Sequence, residues 1–233
     1  MAEKQVKSRQ RVADHGEVFT AEREVNAMLD MVKNETERIE SRFLEPACGD
    51  GNFLAEILRR KLAVVQKKYG GSRMRADYEM WSVIAVMNIY GVELLPDNAS
   101  ACRDRLFRIW DEAYSASCKD DASDECREAV RYILNRNILC GDALTMLAAD
   151  ETPIIFSEWS LVSGAQIKRR DFRLDVLLKE NADESKYETQ MSLFFDSTDN
   201  EDFWMIDPVT HNPIPKPLKE YPLTDYRKVC CHG

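Results

Sequence analysis

The sequence predicts an α/β protein with a mainly parallel sheet and helices on both faces. Three observations predict it. Arg42-Phe43-Leu44 is a short apolar run that leads into Glu45–Gly51, a turn with two glycines, a proline and two acids; from Asn52 the apolar residues then recur at helical spacing. Ile89-Tyr90-Gly91-Val92-Glu93-Leu94 reads as a second buried strand that ends in an acid. Asn137–Leu144 reads as a third strand and turn, and helical patterns separate the three.

Taken in order, residues 1–13 are a polar N-terminus expected to fray. Thr20 is a candidate N-cap for a helix over 22–33, with Val25, Met28, Leu29 and Val32 on one face. Asn34–Ser41 reads as a polar connector. Asn52 is a candidate N-cap for a helix that Gly70-Gly71 ends near Tyr69. Arg73–Met80 is a loop or short helix, and the start of the Trp81–Leu94 run is compatible with helix. Pro96 opens the next helix, whose stripe is Ala99, Cys102, Leu106, Ile109 and Trp110. Ser115–Glu125 reads as an acidic loop insertion and Cys126–Leu134 as a further helix.

Thr152–Trp159 reads as a fourth strand. Beyond it the expectations are a helix or strand over Asp171–Asn181, acidic loops at 183–186 and 196–202, strands at 186–195 and 203–208, and an extended tail from Pro213 to Pro222. These divide the chain into a domain over 14–170 and a shortened extension over 171–233.

Composition narrows the class. The chain has 233 residues, 44% of them hydrophobic and 31% charged, as in a soluble globular protein. No apolar run reaches membrane-spanning length and Met1–Arg11 has no signal-like apolar core, so a cytoplasmic site is expected. Seven scattered cysteines lack zinc-finger spacing, and no metal site is expected; Cys230-Cys231-His232 does not supply a closed tetrahedral set. The formal net charge of −9 opposes autonomous DNA binding. The best basic clusters, Lys168-Arg169-Arg170, Arg59-Arg60-Lys61 and Lys67-Lys68, are short.

The glycine turn carries the chemistry. Glycine lets the backbone turn sharply and lets a ligand approach the main chain. Phosphate-binding versions of such a turn rely on bare N–H groups and the helix dipole, whereas Glu45 and Asp50 would repel a phosphate. Acids suit a ligand with hydroxyls and a cationic group, such as a nucleoside sulfonium. Glu93, at the end of a strand, is placed to accept hydrogen bonds from ribose hydroxyls.

The run FLEPACGDGNFL resembles the S-adenosylmethionine (AdoMet) motif of the adenine-specific, amino-methylating DNA methyltransferases of restriction-modification systems. Asp14–Ala21 resembles the segment that closes over AdoMet in that family, with Ala21 in place of its proline. "Y-G-V-E-L-L-P-D-N-A" and "I-L-C-G-D-A-L" are similar to its second and third cofactor motifs. The resemblance covers roughly residues 12–147. It implies a Rossmann-like methyltransferase fold, truncated at its C-terminal end. It also implies AdoMet contacts from Phe19, Thr20, Glu45, Ala47, Gly49, Asp50, Glu93, Leu94, Asp142 and Ala143, with Glu93 on the ribose and Asp142 on the adenine amine. Read alone, Thr20 is an ordinary helix cap and Gly141-Asp142 an ordinary turn.

The resemblance stops at the catalytic motif. The family ends its fourth strand in Asn/Asp-Pro-Pro-Tyr/Phe, which holds a target base extruded from the duplex. Here the corresponding tip is Ser157-Glu158-Trp159. Glu158 is a candidate acceptor for the target amine and Trp159 a candidate stacking face; the alternative is that Trp159 is core and Glu158 a solvated end. The resemblance therefore implies an AdoMet-dependent DNA methyltransferase, or the methyltransferase subunit of a restriction-modification system. The other reading is a catalytically impaired AdoMet-binding subunit. DNA would be reached with or through a partner polypeptide, as an oligomer or hetero-complex, and no membrane is involved. Methylation of a small molecule or a protein has no positive support.

Overall fold

The computed structural model describes residues 7–15, 17–180, 203–206, 208, 211 and 213–232. Helix α1 (Arg9–His15) precedes an extended stretch over 17–20. Helix α2 (Glu22–Asp30) buries Val25 and Leu29, and α3 (Lys33–Thr36) is a single turn where a connector was expected. Strand β1 (Phe43–Glu45) enters the glycine turn. Helices α4 (Asn52–Tyr69) and α5 (Arg75–Met87) lead to β2 (Ile89–Glu93). Helices α6 (Pro96–Cys118) and α7 (Asp124–Asn137), joined through a 3-10 turn at Lys119–Asp121, lead to β3 (Ile138–Asp142).

The molecule is a mixed α/β protein. Its first sheet has the order β1-β2-β3, all parallel, and β4 (Leu147–Ala148) adds antiparallel to β3. The register is set where Leu44 pairs with Tyr90 and Val92 with Leu139.

Side chains alternate across a strand, so β2 shows what covers each face. Gly91 faces α4: a Cβ there would lie 2.9 Å from Cys48 Sγ and 3.0 Å from Leu54 Cδ1. Tyr90 faces the other way. Its ring meets Phe156 edge-on, and its hydroxyl donates to the Ser157 carbonyl at 3.0 Å. Phe156 and Ser157 belong to β5 (Ile155–Ser163), which pairs antiparallel with β6 (Gln166–Arg173). The expected two-sided helical cover is thus corrected: a β-hairpin lies on the Tyr90 face of β2.

The same hairpin corrects the fourth strand. Thr152–Trp159 does not extend the parallel sheet to a catalytic tip; β5 runs on to Ser163 and Glu158 and Trp159 lie in mid-strand. The domain boundary expected at 170/171 falls inside β6. After helix α8 (Leu174–Glu180), β7 (Trp204–Ile206) pairs with β8 (Pro213–Pro215). Strands β9 (Lys219–Glu220) and β10 (Thr224–Asp225) then pair with β6. The expected proline-rich tail therefore packs on the hairpin, and Tyr221 is buried there. Leu174, Tyr226 and Val229 share one core with the helices around the parallel sheet, so the described residues after 170 do not stand apart from it. The expected strand over 186–195 and the acidic loops at 183–186 and 196–202 lie outside the described residues.

Three helix ends differ from expectation for local reasons. Ala21, not Thr20, caps α2, its carbonyl accepting from the Glu24 and Val25 amides. Gly51, at φ 91°, takes the cap position of α4, and Asn52 is the first helical residue. That φ suits glycine, and Cys102 Sγ would lie 2.7 Å from any Cβ there. Helix α6 runs through the expected loop at Ser115 because Tyr114 and Cys118 continue its buried stripe; Ser123 then caps α7 by accepting from the Cys126 amide. Among the described residues no helix is long and apolar enough to cross a membrane.

Candidate functional site

The carboxyl ends of the three parallel strands open onto one cavity of about 590 Å³, the place where open α/β sheets present their ligands. Four segments build it. The glycine turn contributes Glu45, Ala47, Gly49 and Asp50; the end of β2 contributes Glu93 and Leu94; the turn after β3 contributes Asp142 and Ala143; and the extended stretch before α2 contributes Phe19 and Thr20. All ten residues expected to contact the cofactor thus line one space, although they span more than 120 positions of the chain.

The turn is held in place by Glu93, which is buried. Its Oε2 accepts from the Gly49 amide at 2.8 Å. Its Oε1 accepts from the Leu95 amide at 3.0 Å and from Asn98 Nδ2 at 3.2 Å. A carboxylate has about four acceptor positions, so one remains on Oε2. Asp142 Oδ1 accepts from the Leu144 amide at 2.8 Å, which leaves its other oxygen for a ligand. Glu45 Oε1 faces the Ala47 amide at 3.3 Å, and burial raises its carboxyl above the ordinary range.

The segment 17–20 lies over the turn. A Cβ on Gly49 would sit 3.2 Å from the Phe19 ring, so glycine lets the aromatic close down. Asn52 Nδ2 donates to the Thr20 carbonyl at 3.0 Å, and Arg105 donates to Asn52 Oδ1 at 2.5 Å. The side chain expected to cap α4 is thus a latch for the cover. Helix α1 ties down the other end. Arg11 pairs with Glu17 at 2.6 Å and with Asp97 at 2.9 Å. Its guanidinium holds Glu17 below the usual carboxylate range and Asp97 down to about 2. The expectation of a frayed 1–13 is therefore corrected for the described part, because Lys7 and Arg11 have acidic partners on the body of the protein.

Five carboxylates line the cavity: Glu17, Glu45, Asp50, Glu93 and Asp142. Among the described residues no lysine, arginine or histidine lines it. Glu17 is paired with Arg11, and Asp50 lies 3.4 Å from Arg105; Glu45, Glu93 and Asp142 have no ion-pair partner among the described residues. A phosphate would meet only like charge. A ligand rich in hydroxyl and amine donors, with a positive centre, finds acceptors on several sides and apolar contacts from Phe19, Leu94 and Leu144. Cys48 also lines the space, but the adjacent Cys102 thiol and burial push its thiol up, which leaves no thiolate for nucleophilic work.

Glu17 and Asn98 were not picked out from the sequence. Glu17 lies inside the cover, and its signal was its place two residues before Phe19. Asn98 lies in the first turn of the helix that Pro96 opens, and nothing local marks it.

Glu158 and Trp159 lie elsewhere. Glu158 bridges Arg42 at 2.6 Å and Arg170 at 2.5 Å. Trp159 is 4% exposed, and its Nε1 donates to Asn137 Oδ1 at 2.9 Å. Neither lines the acid-rich cavity. Trp159 is core rather than a stacking face, and Glu158 is ion-paired between two arginines rather than a solvated end.

Comparison of the chain with protein-family models, with curated proteins and with solved structures gives no match.

Proposed function

We propose that the chain binds AdoMet in the acid-lined cavity and works as a methyltransferase-like subunit in DNA adenine methylation of the restriction-modification type. The observation that carries this reading is the charge pattern of the cavity: five carboxylates and no lining cation around a glycine turn at the carboxyl ends of parallel strands. The residues fit the group. Glu93 Oε2 offers an acceptor to a ribose hydroxyl, the free oxygen of Asp142 one to the adenine amine, and Glu45 a counter-charge to the amino or sulfonium group. Phe19 and Leu94 offer apolar surface to the flat base. When bound, AdoMet supplies the electrophilic methyl group.

The position of Glu158 and Trp159 favours the reading in which a partner polypeptide completes the target site. An alternative is a chain that methylates alone through Glu158; that side chain's absence from the lining of the acid-rich cavity weighs against it.

Titration calorimetry with AdoMet and S-adenosylhomocysteine, with ATP and NAD as anionic controls, tests the reading. Binding of the two adenosyl ligands with no heat from the phosphorylated ones is expected. No heat and no thermal shift with either adenosyl ligand would remove the proposal.

A further inference from the structure

Asn98 is 1% exposed and stands in the first turn of α6 at the foot of the cavity. Its amide touches three elements at once. Nδ2 donates to Glu93 Oε1 at 3.2 Å and to Glu17 Oε1 at 2.6 Å, while Oδ1 accepts from Lys7 Nζ. Glu93 belongs to the end of β2, Glu17 to the cover, and Lys7 to the stretch ahead of α1. Two carboxylates therefore share one neutral donor group, and the chain of contacts runs Arg11–Glu17–Asn98–Glu93–Gly49 from the exposed end of the cover to the glycine turn.

We propose that Asn98 is a positioning and coupling residue: its amide fixes which oxygen of Glu93 faces the ligand and joins that acid to the cover, so that nucleoside recognition and closure of residues 17–20 are one event. The claim deepens the AdoMet reading above and rests on it for the identity of the ligand, though not for the link between Glu93 and the cover. The physical reason is donor supply. Without an N–H between them, Glu17 and Glu93 present like charges to one buried space, and one of them must turn away. Asparagine suits the position because it gives two N–H donors to the two acids and one oxygen to Lys7. Aspartate has nearly the same shape and gives no donor unless protonated.

That difference supplies a readout that packing alone would not move. The charged groups facing the position are Glu93 from β2, Glu17 from the cover, Lys7, and Arg11 and Asp97 beyond them. In Asn98→Asp a third acid joins Glu17 and Glu93 at neutral pH. Protonation of the new carboxyl restores a single donor, so the defect recedes in acid.

The test is hydrogen exchange of the ligand-free full chain, comparing variant with wild type at the same pH. The amides of Gly49 and Leu95, both bonded to Glu93, and the peptide covering 17–20 are expected to exchange about tenfold faster in Asn98→Asp at pH 7.5, and within about threefold of wild type at pH 5.5. Wild-type exchange at pH 7.5, or the same loss at both pH values, overturns the proposal. Arg11→Ala cuts the chain at its exposed end without touching the buried amide. It is expected to loosen Gly49 and Leu95 about threefold, and wild-type rates there overturn the coupling. A parallel titration with S-adenosylhomocysteine separates the two claims. If wild type binds it and Asn98→Asp binds about tenfold more weakly at pH 7.5 only, both stand. Equal affinity in wild type and variant sinks the positioning role alone. No binding by wild type, with exchange as expected, sinks the AdoMet reading and leaves the link between Glu93 and the cover intact.

Discussion

Gly49 donates its amide hydrogen to Glu93 Oε2 across 2.8 Å, which ties the turn after β1 to the acid that ends β2. On the proposed reading one side chain therefore serves structure and recognition. The two roles fit on one carboxylate because three of its acceptor positions hold the protein and one faces the cavity.

Glu93→Ala tests that double role. It leaves the Gly49 and Leu95 amides without acceptors, and an unsatisfied buried donor costs about 1–3 kcal/mol. For a chain of this length each 1 kcal/mol lowers the melting temperature by about 2–4 °C. Adenosyl affinity is expected to fall about tenfold or more, because the lost bond involves a charged group. Calorimetry and thermal unfolding on the same preparation read both effects. A variant with unchanged melting temperature and unchanged affinity would deny Glu93 either role.

Glu45 separates stability from function by sign. Burial raises its carboxyl pKa in the folded protein above the ordinary 4.5. The folded state then holds its proton more tightly than the unfolded state. Stability falls as pH rises from the unfolded pKa through the folded one, and the deficit persists at neutral pH. Glu45→Gln is expected to raise the melting temperature slightly at pH 7 and to leave it unchanged near pH 3. The same substitution removes a counter-charge, so AdoMet, with its sulfonium, is expected to lose more affinity than the uncharged thioether S-adenosylhomocysteine. In wild type, AdoMet affinity is expected to drop as pH falls through the Glu45 pKa. Equal losses for the two ligands, or a lower melting temperature at pH 7, would show that Glu45 is not a half-buried counter-charge.

Glu158 and Trp159 are expected to behave as structural residues. Trp159→Ala removes a buried ring and its bond to Asn137, a change that typically costs about 3–5 kcal/mol. Glu158→Gln weakens the bridge between Arg42 and Arg170 and is expected to lower the melting temperature with adenosyl affinity unchanged. A Glu158→Gln protein of normal stability that has lost methyl transfer in the presence of its partner would restore Glu158 to the target site.

Much of the parallel half was legible in the sequence because its signals are local. Gly49 and Gly51 mark a turn, Pro96 marks a helix start, and Ile89–Glu93 is apolar throughout with an acid at its end. The space they share was legible only through the ordered resemblance, since nothing in Asp142 or Thr20 by itself points to a cavity. The hairpin was not legible. Ile154, Ile155 and Phe156 form an apolar run that does not say what it pairs with, and its partner strand carries Lys168-Arg169-Arg170, which reads as a basic cluster. In the fold each of those cations meets an acid: Lys168 meets Glu220, Arg169 meets Asp171 and Arg170 meets Glu158. Two of these pairs join residues 12 and 52 positions apart, and no local pattern announces them. Asn98 is not legible for the same reason, because its partners Lys7, Glu17 and Glu93 come from three other segments.

Those ion pairs carry the last prediction, that the isolated chain binds duplex DNA weakly and does not methylate it alone. Affinity for the phosphate backbone comes largely from neutralisation by lysine and arginine and the counterions it releases. The chain has a formal net charge of −9. The cluster at 168–170 is consumed within the fold, and Arg169 is buried. At 59–61, Arg59 and Arg60 pair with Glu56, Arg60 also with Asp30, and Lys61 is buried against the carbonyls of Arg38, Ile39 and Ser41. Lys67 and Lys68 remain exposed on the last turn of α4, two charges where tight binders use several. Strand β1 has a neighbour on one side only among the described residues, and an open edge is a place where another chain can pair. An anisotropy titration with random duplex at low salt is expected to show weak association that disappears by about 0.2 M salt, and a labelled-methyl assay of the chain with mixed DNA is expected to give no transfer. Tight association together with methyl transfer by the purified chain would mean that no partner is required, and that residues other than Ser157-Glu158-Trp159 in their present ion-paired setting perform the chemistry.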